Sequence, residues 1–193
     1  MIETRVLTGD ALETALDDLA RLRIEVFRDW PYLYDGDVEY ERKYLSGYTH
    51  PTAIVVAAFD GPRIVGASTG MGLEVSDEDF ATAFANRPEA LSDIFYCAES
   101  VLLSDYRGHG LGHAFFDARE AHARELGRRY SAFCGVVRPE DHPMRPSAAR
   151  SLEPFWRGRG YAPLPGVIAH FNWRDVGEAD ETAHPLQFWM RTL

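Results

Sequence analysis

The sequence predicts an α/β (α+β) domain built on a mixed sheet, and two stretches carry that prediction. Residues 53–59 and 63–71 are apolar runs on either side of Asp60-Gly61, a tight-turn pair, and so read as an antiparallel hairpin. Residues 95–103 form an apolar run that leads into Arg107-Gly108-His109-Gly110-Leu111-Gly112, then an amphipathic stretch to Leu126, then a second apolar run at 130–137. Strand, glycine turn, helix and strand in that order make a parallel crossover. A chain of 193 residues with 46% hydrophobic residues suits one domain spanning 1–193 with an ample core.

The remaining elements follow in order. Residues 4–7 read as a short first strand. Asp10 is placed as an N-cap with Glu13 completing a capping box. Leu12, Leu16, Leu19, Arg23, Val26 and Phe27 then recur at helical spacing, which predicts an amphipathic helix. It ends near Asp29-Trp30-Pro31, because a proline disfavours helix in the residue before it. A second helix is expected over 38–48, carrying Tyr40, Tyr44, Leu45 and Tyr48. These tyrosines either line a cleft or cap the core with their hydroxyls in solvent, the commoner arrangement. Residues 76–91 read as a helical insertion. In the helix after the glycine turn, Leu111, Ala114, Phe115, Ala118 and Ala121 form the apolar face, with Gly127 as its stop. Residues 138–146 are a proline-rich loop, 147–157 a short helix, and 167–173 and 184–192 the last strands. The order is β-α-α-β-β-(α)-β-α-β-α-β-β.

Composition limits the function. The net charge of −10 argues against nucleic acid as a partner, since phosphate backbones need a basic surface. It favours cationic or amine-bearing molecules. No apolar stretch is long enough to span a membrane, and the N-terminus lacks the pattern of a signal peptide. Cys97 and Cys134 both lie in apolar runs and read as reduced core thiols, so a cytoplasmic location is expected.

Gly108, Gly110 and Gly112 let the backbone turn tightly at the start of a helix, where unpaired N–H groups and the helix dipole form an anion site suited to phosphate. A plain strand-to-helix turn needing small residues is the alternative. A P-loop would need Lys-Ser/Thr after the last glycine, and His113-Ala114 stands there. A Rossmann fingerprint needs the spacing G-x-G-x-x-G near the start of a βαβ unit, whereas here the spacing is G-x-G-x-G behind a hairpin.

The stretch Tyr106-Arg107-Gly108-His109-Gly110-Leu111-Gly112 resembles the acetyl-CoA pyrophosphate loop of the GNAT acetyltransferase superfamily, whose pattern is Gln/Arg-x-x-Gly-x-Gly/Ala. Arg107, Gly110 and Gly112 fall on its specified positions, and the element order from Thr4 to Leu193 is similar as well. The resemblance implies a central twisted mixed sheet of about six to seven strands, flanked by helices. Its parallel strands, at 95–103 and 130–137, would splay around a thioester. It implies that the backbone of Arg107, Gly108, His109, Gly110, Leu111 and Gly112 holds the CoA pyrophosphate. The strand end at Leu102-Leu103 would pair with the pantetheine arm as an added strand does, and residues 147–156 would flank the other side of CoA. The tyrosine-rich early helices and the final strands would form the acceptor pocket.

Acetyl transfer to an amine needs a neutral nucleophile, a stabilised oxyanion and a protonated thiolate. Glu99, a carboxylate in an apolar strand just before the turn, is the leading base, since burial would raise its pKa. An exposed or arginine-paired Glu99 is the plain alternative. Tyr96 is the second candidate. The family's acid, a tyrosine shortly before a Gly-Phe pair, has Trp156 in its place, with Gly160-Tyr161 standing for Gly-Phe. An indole donates a hydrogen bond but supplies no usable proton. Ala149 lies near the place of an asparagine often found earlier in that helix. His109 and His113 read as solvated side chains rather than zinc ligands, and no metal is expected. Cys134 with His142 could carry an acyl group, although a structural thiol is the commoner outcome. For Arg138, Arg145 and Arg150 two readings stand open: solvated loop charges, or contacts to the CoA 3′-phosphate or an acidic substrate.

The expectation is therefore an acetyl-CoA-dependent N-acetyltransferase that modifies the primary amine of a small molecule by direct attack in a ternary complex, with a homodimer admissible. A non-catalytic acyl-CoA-binding or sensor module, and a protein N-terminal or lysine acetyltransferase, are the alternatives.

Overall fold

The computed structural model describes residues 2–76 and 78–193. Seven strands form one sheet in the order β1-β2-β3-β4-β5-β7-β6. They are β1 (Ile2–Leu7), β2 (Ile54–Asp60), β3 (Arg63–Gly72), β4 (Ile94–Leu102), β5 (Tyr130–Val136), β6 (Ala162–Arg174) and β7 (Glu181–Thr192). All neighbours are antiparallel except β4 and β5. The hairpin turns at Gly61, whose φ of 58° is the left-handed conformation that glycine adopts without a Cβ clash.

Helix α1 (Gly9–Phe27) and α2 (Val38–Ser46) cover one face of the sheet, and α4 (Leu111–Glu125) covers the other. The two faces are distinguished by what each helix touches. Arg23 of α1 reaches the Glu99 side chain, while α4 sends Arg119 to Ser100 Oγ (2.8 Å) and sets His122 against Phe95 (ring centroids 5.7 Å apart). Two short helices, α3 (Glu78–Ala83) and α5 (Glu153–Gly158), complete the fold.

Several local expectations are corrected. The N-cap of α1 is Thr8, with no side-chain cap bond, and Asp10 lies inside the first turn. The capping box is instead replaced by a working cap one helix later, where the Asp37 carboxylate accepts the Tyr40 N–H at 2.9 Å. The insertion at 76–91 is helical only over α3; Pro88 stops a longer helix, and Asp77 lies outside the described residues. The helix expected over 147–157 begins only at Glu153, because Pro154 sits in its first turn. There a missing N–H is harmless, whereas a helix begun at 147 would place that proline in its interior. In α4 the buried stripe runs through Leu111, Phe115 and Arg119, with Phe116, Glu120 and Ala123 beside it, and Ala121 faces solvent.

Candidate active site

The parallel pair opens just where chemistry would need space. β4 and β5 are hydrogen-bonded only over Ile94–Tyr96 and Tyr130–Ala132. Beyond Tyr96 they part, β4 continuing beside β3 and β5 beside β7. A register shift between Thr69 and Met71 opposes three steps of β4 to two of β3. This bulge changes which side chains share a face. Tyr96 and Glu99, which strict alternation would put on opposite faces, both line the α1–α2 side together with Ala98. Arg119, buried under α4, holds the bulge from behind by donating to the carbonyls of Thr69 (3.2 Å) and Glu99 (2.7 Å).

On the α1–α2 side lies a cavity of about 1140 Å³. Tyr32, Tyr34, Tyr40, Tyr44, Tyr48 and Tyr96 line it, so the early tyrosines do form a cleft. Arg23 sits at its floor between two carboxylates, paired with Glu41 and with Glu99. The three side chains are only 9%, 1% and 11% exposed. The guanidinium also lies over the Tyr44 ring at 4.6 Å. Glu99 is thus the arginine-paired carboxylate of the plain alternative, and one guanidinium answers both acids. Tyr96 lies against Cys134 across the opening, hydroxyl to Sγ 3.4 Å. Burial, and then the neighbouring Cys134, push the Tyr96 phenol well above its usual value. At neutral pH it keeps its proton and offers an O–H donor. Burial likewise pushes the Cys134 thiol up to about 12, and its expected partner His142 instead lies tilted against Trp30, ring centroids 5.3 Å apart. Cys134 is thus a protonated wall residue.

On the opposite face the glycine turn ends in α4. Gly108 and Gly110 have φ of 82° and 81°, which non-glycine residues rarely adopt. A Cβ on either would meet nothing within 4 Å, so the turn presents open backbone. Gly112 faces the Phe155 ring, which a Cβ there would meet at an ordinary contact distance of 3.4 Å, so α5 lies close to the turn. The Ala114 N–H donates to the Gly110 carbonyl (3.1 Å), so those of Leu111, Gly112 and His113 precede the helical ladder. The Arg107 N–H is committed to the Ser104 carbonyl at 3.1 Å. The free backbone donors therefore come from Gly108 onward, and Arg107 contributes an exposed side chain. Leu102 and Leu103, at the end of β4, lie between this turn and the opening, and the Leu103 N–H donates to Val65 O (3.0 Å).

No protein-family sequence model matches the chain, and no curated protein does. Solved structures match over nearly its whole length. An acetyltransferase of the GNAT family from Streptococcus pneumoniae superposes with a TM-score of 0.59 at 13% identity, over 99% of this chain and 100% of its own. The ribosomal-protein-alanine N-acetyltransferase of Brucella melitensis gives 0.63 at 13% identity, over 98% and 99%. An aminoglycoside 6′-N-acetyltransferase complexed with coenzyme A gives 0.61 at 16% identity, over 97% and 96%. The chain has the GNAT fold.

Within this GNAT fold the other singled-out residues find their places. Trp156 packs against Phe133 and Trp189 (4.9 and 5.2 Å between centroids) and covers Gly135, where a Cβ would lie 3.1 Å from its ring. It is a wall of the opening on the β5 side. Tyr161 is buried, its hydroxyl 2.7 Å from Ser131 Oγ and donating to Glu120 (3.0 Å). Arg138 is already engaged: it forms a bidentate pair with Asp175 and donates to the Pro31 and Tyr32 carbonyls. It thereby ties the tyrosine loop to the end of β6. Arg145 donates to the Glu140 carbonyl, and Arg150 is exposed. His113 meets Arg159 at 3.2 Å and Phe155, His109 is exposed, and no metal-holding cluster exists among the described residues.

Arg23, Glu41 and Arg119 are the site residues that sequence reasoning passed over. Arg23 and Arg119 each carried a signal, a charged residue on an otherwise apolar helical stripe. Glu41 carried none beyond lying one turn after the Asp37 cap.

Gly110→Ala is expected to cost about 1–2 kcal/mol of stability from the left-handed backbone alone, as read by urea unfolding. Gly61→Ala carries the same backbone strain far from the turn and serves as the control. If the turn holds a phosphate-bearing ligand, only Gly110→Ala also weakens its binding.

Proposed function

We propose that the protein is an acyl-CoA-dependent N-acyltransferase that transfers acetyl from acetyl-CoA to the primary amine of a small molecule. The observation that carries this reading is the opening between β4 and β5. It has a glycine turn with free backbone donors on one face of the sheet and an acidic, tyrosine-lined cavity on the other. A thioester in that opening is reached by CoA from one side and by an amine from the other.

In this reading Gly108, His109, Gly110, Leu111 and Gly112 bind the pyrophosphate through backbone N–H groups at the start of α4. The β4 backbone at Leu102 and Leu103 runs beside the pantetheine. The amine gives up a proton to Glu99, directly or through water, and attacks the thioester carbonyl. The C–N bond forms, the nitrogen releases its surplus proton to water as the C–S bond breaks, and the thiolate takes a proton. Tyr96 supplies that proton, or shares it through water, in place of the tyrosine that Trp156 displaces.

Thermal unfolding with acetyl-CoA tests the cosubstrate. At about 100 times its Kd, a ligand bound to the native state adds about 2.7 kcal/mol, or roughly 5–10 °C in Tm for a chain of this size. The absence of any shift overturns the reading. Release of free thiol across a panel of small amines tests transfer. Stabilisation by acetyl-CoA without thiol release from any amine supports instead a sensor on this fold, the reading that Trp156 favours.

A further inference from the structure

We infer that the acceptor is a molecule with at least two separated cationic groups, an aliphatic diamine or polyamine in chemical class. The inference rests on the reading of the large cavity as the acceptor site, and deepens it.

The walls of the cavity are unbalanced in charge. Six carboxylates line it, from Asp35, Asp37, Glu41, Glu99, Asp180 and Glu181, against the two guanidiniums of Arg23 and Arg174. The imbalance falls in two places. At the floor Arg23 serves both Glu41 and Glu99, one positive charge for two negative ones. Glu41 is buried, and its Oε1 has no well-formed hydrogen bond, the Tyr34 hydroxyl on the same wall being its neighbour. An ionised oxygen left so in a buried wall is costly, and an ammonium group brings the donors that it lacks. Burial, followed by the charge of Glu41, also raises the pKa of the Tyr34 phenol on the same wall.

The second place is the mouth. Asp35 is neutralised there by Arg28 (3.2 Å) and Arg174 (2.7 Å). Asp180 and Glu181, exposed where β7 begins, pair with no cation among the described residues. Floor and mouth are joined by aromatic wall, including Tyr32, Phe171 and Trp173. Such a wall suits methylene groups and the faces of passing cations. A single ammonium can answer the floor or the mouth, whereas a chain with two answers both. The floor lies beside Ala98 and Glu99 at the opening, so the inner amine is the one acetylated and the outer one is read by Asp180 and Glu181.

Calorimetric titration without any acyl-CoA tests this, with 1,5-diaminopentane set against 5-amino-1-pentanol, which matches its length and lacks the second charge. The diamine is expected to bind about tenfold tighter or better at low ionic strength, the worth of one well-placed charge pair. That advantage should shrink as salt is raised. The exposed double variant Asp180→Asn/Glu181→Gln should remove most of the advantage while leaving the amino alcohol unchanged. Glu41→Gln should weaken both ligands. Equal affinity for the two ligands in the native protein overturns the inference, and so does an advantage that the double variant leaves intact. Thiol release is read separately: a protein that prefers the diamine but never releases thiol keeps this inference and loses the acyl transfer.

Discussion

Arg23→Met is expected to destabilise the protein by about 3–5 kcal/mol, the usual cost of stripping one partner from a buried ion cluster. For a chain of this length that lowers Tm by roughly 6–20 °C. The methionine fills much of the space of the arginine stem, so the loss is mainly electrostatic. Glu41 and Glu99, 1% and 11% exposed, would face each other with no cation between them. The lost stacking of the guanidinium on Phe27 (5.1 Å) and Tyr44 (4.6 Å) adds a smaller part. The mechanism makes a second, opposite prediction. In the triple variant Arg23→Met/Glu41→Gln/Glu99→Gln the stranded charges are gone, and most of the stability should return. Equilibrium urea unfolding of the four proteins, native, Arg23→Met, the triple variant and Glu41→Gln, completes the comparison. A loss below about 1 kcal/mol in Arg23→Met, the range of an exposed pair, would mean that the floor of the cavity is wetter than its geometry indicates.

The same cluster marks how far the sequence could be read. Strands were legible wherever apolar runs met strong punctuation: Asp60-Gly61 between β2 and β3, and the glycine turn after β4. Local chemistry decides both, so a local reading suffices. The glycine turn was legible as a turn, but not which of its three glycines need positive φ, nor that the Arg107 N–H is already committed. What stayed hidden depends on partners distant in the chain. The insertion of β7 between β5 and β6 is a matter of sheet order that no strand announces by itself. The bulge in β4 has no residue signature in Cys97-Ala98, yet it alone puts Glu99 on the face of Tyr96. Arg138 looked free for phosphate because its partner Asp175 lies far along the sequence. Arg23 was visible as a charged residue on a buried stripe, but a stripe cannot say that two carboxylates wait on the other side.

Glu99→Gln separates catalysis from architecture because Glu41 provides a matched control. Either single variant, Glu41→Gln or Glu99→Gln, removes one of the two carboxylates around Arg23 and leaves a balanced pair. A structural role alone would therefore make the two variants alike in stability and in rate. Glu99, however, lies beside Ala98 at the opening of the sheet, and its main chain is fixed by Arg119 at 2.7 Å, whereas Glu41 is fully buried on α2. If Glu99 takes the proton of the amine, Glu99→Gln lowers kcat by about 10²–10⁴-fold, the usual worth of a positioned general base. The acetyl-CoA thermal shift should stay intact, because the glycine turn is on the other face. Glu41→Gln should act mainly on KM through the acceptor. The pH profile adds a readout that packing cannot mimic. Without its base the variant depends on amine already neutral in solution, so its rate should keep rising toward the pKa of an alkyl ammonium, about 10.4, where the native rate has levelled off. A Glu99→Gln rate within about threefold of native, less than the smallest general-base contribution, would remove Glu99 from the proton path and leave ordered water to serve.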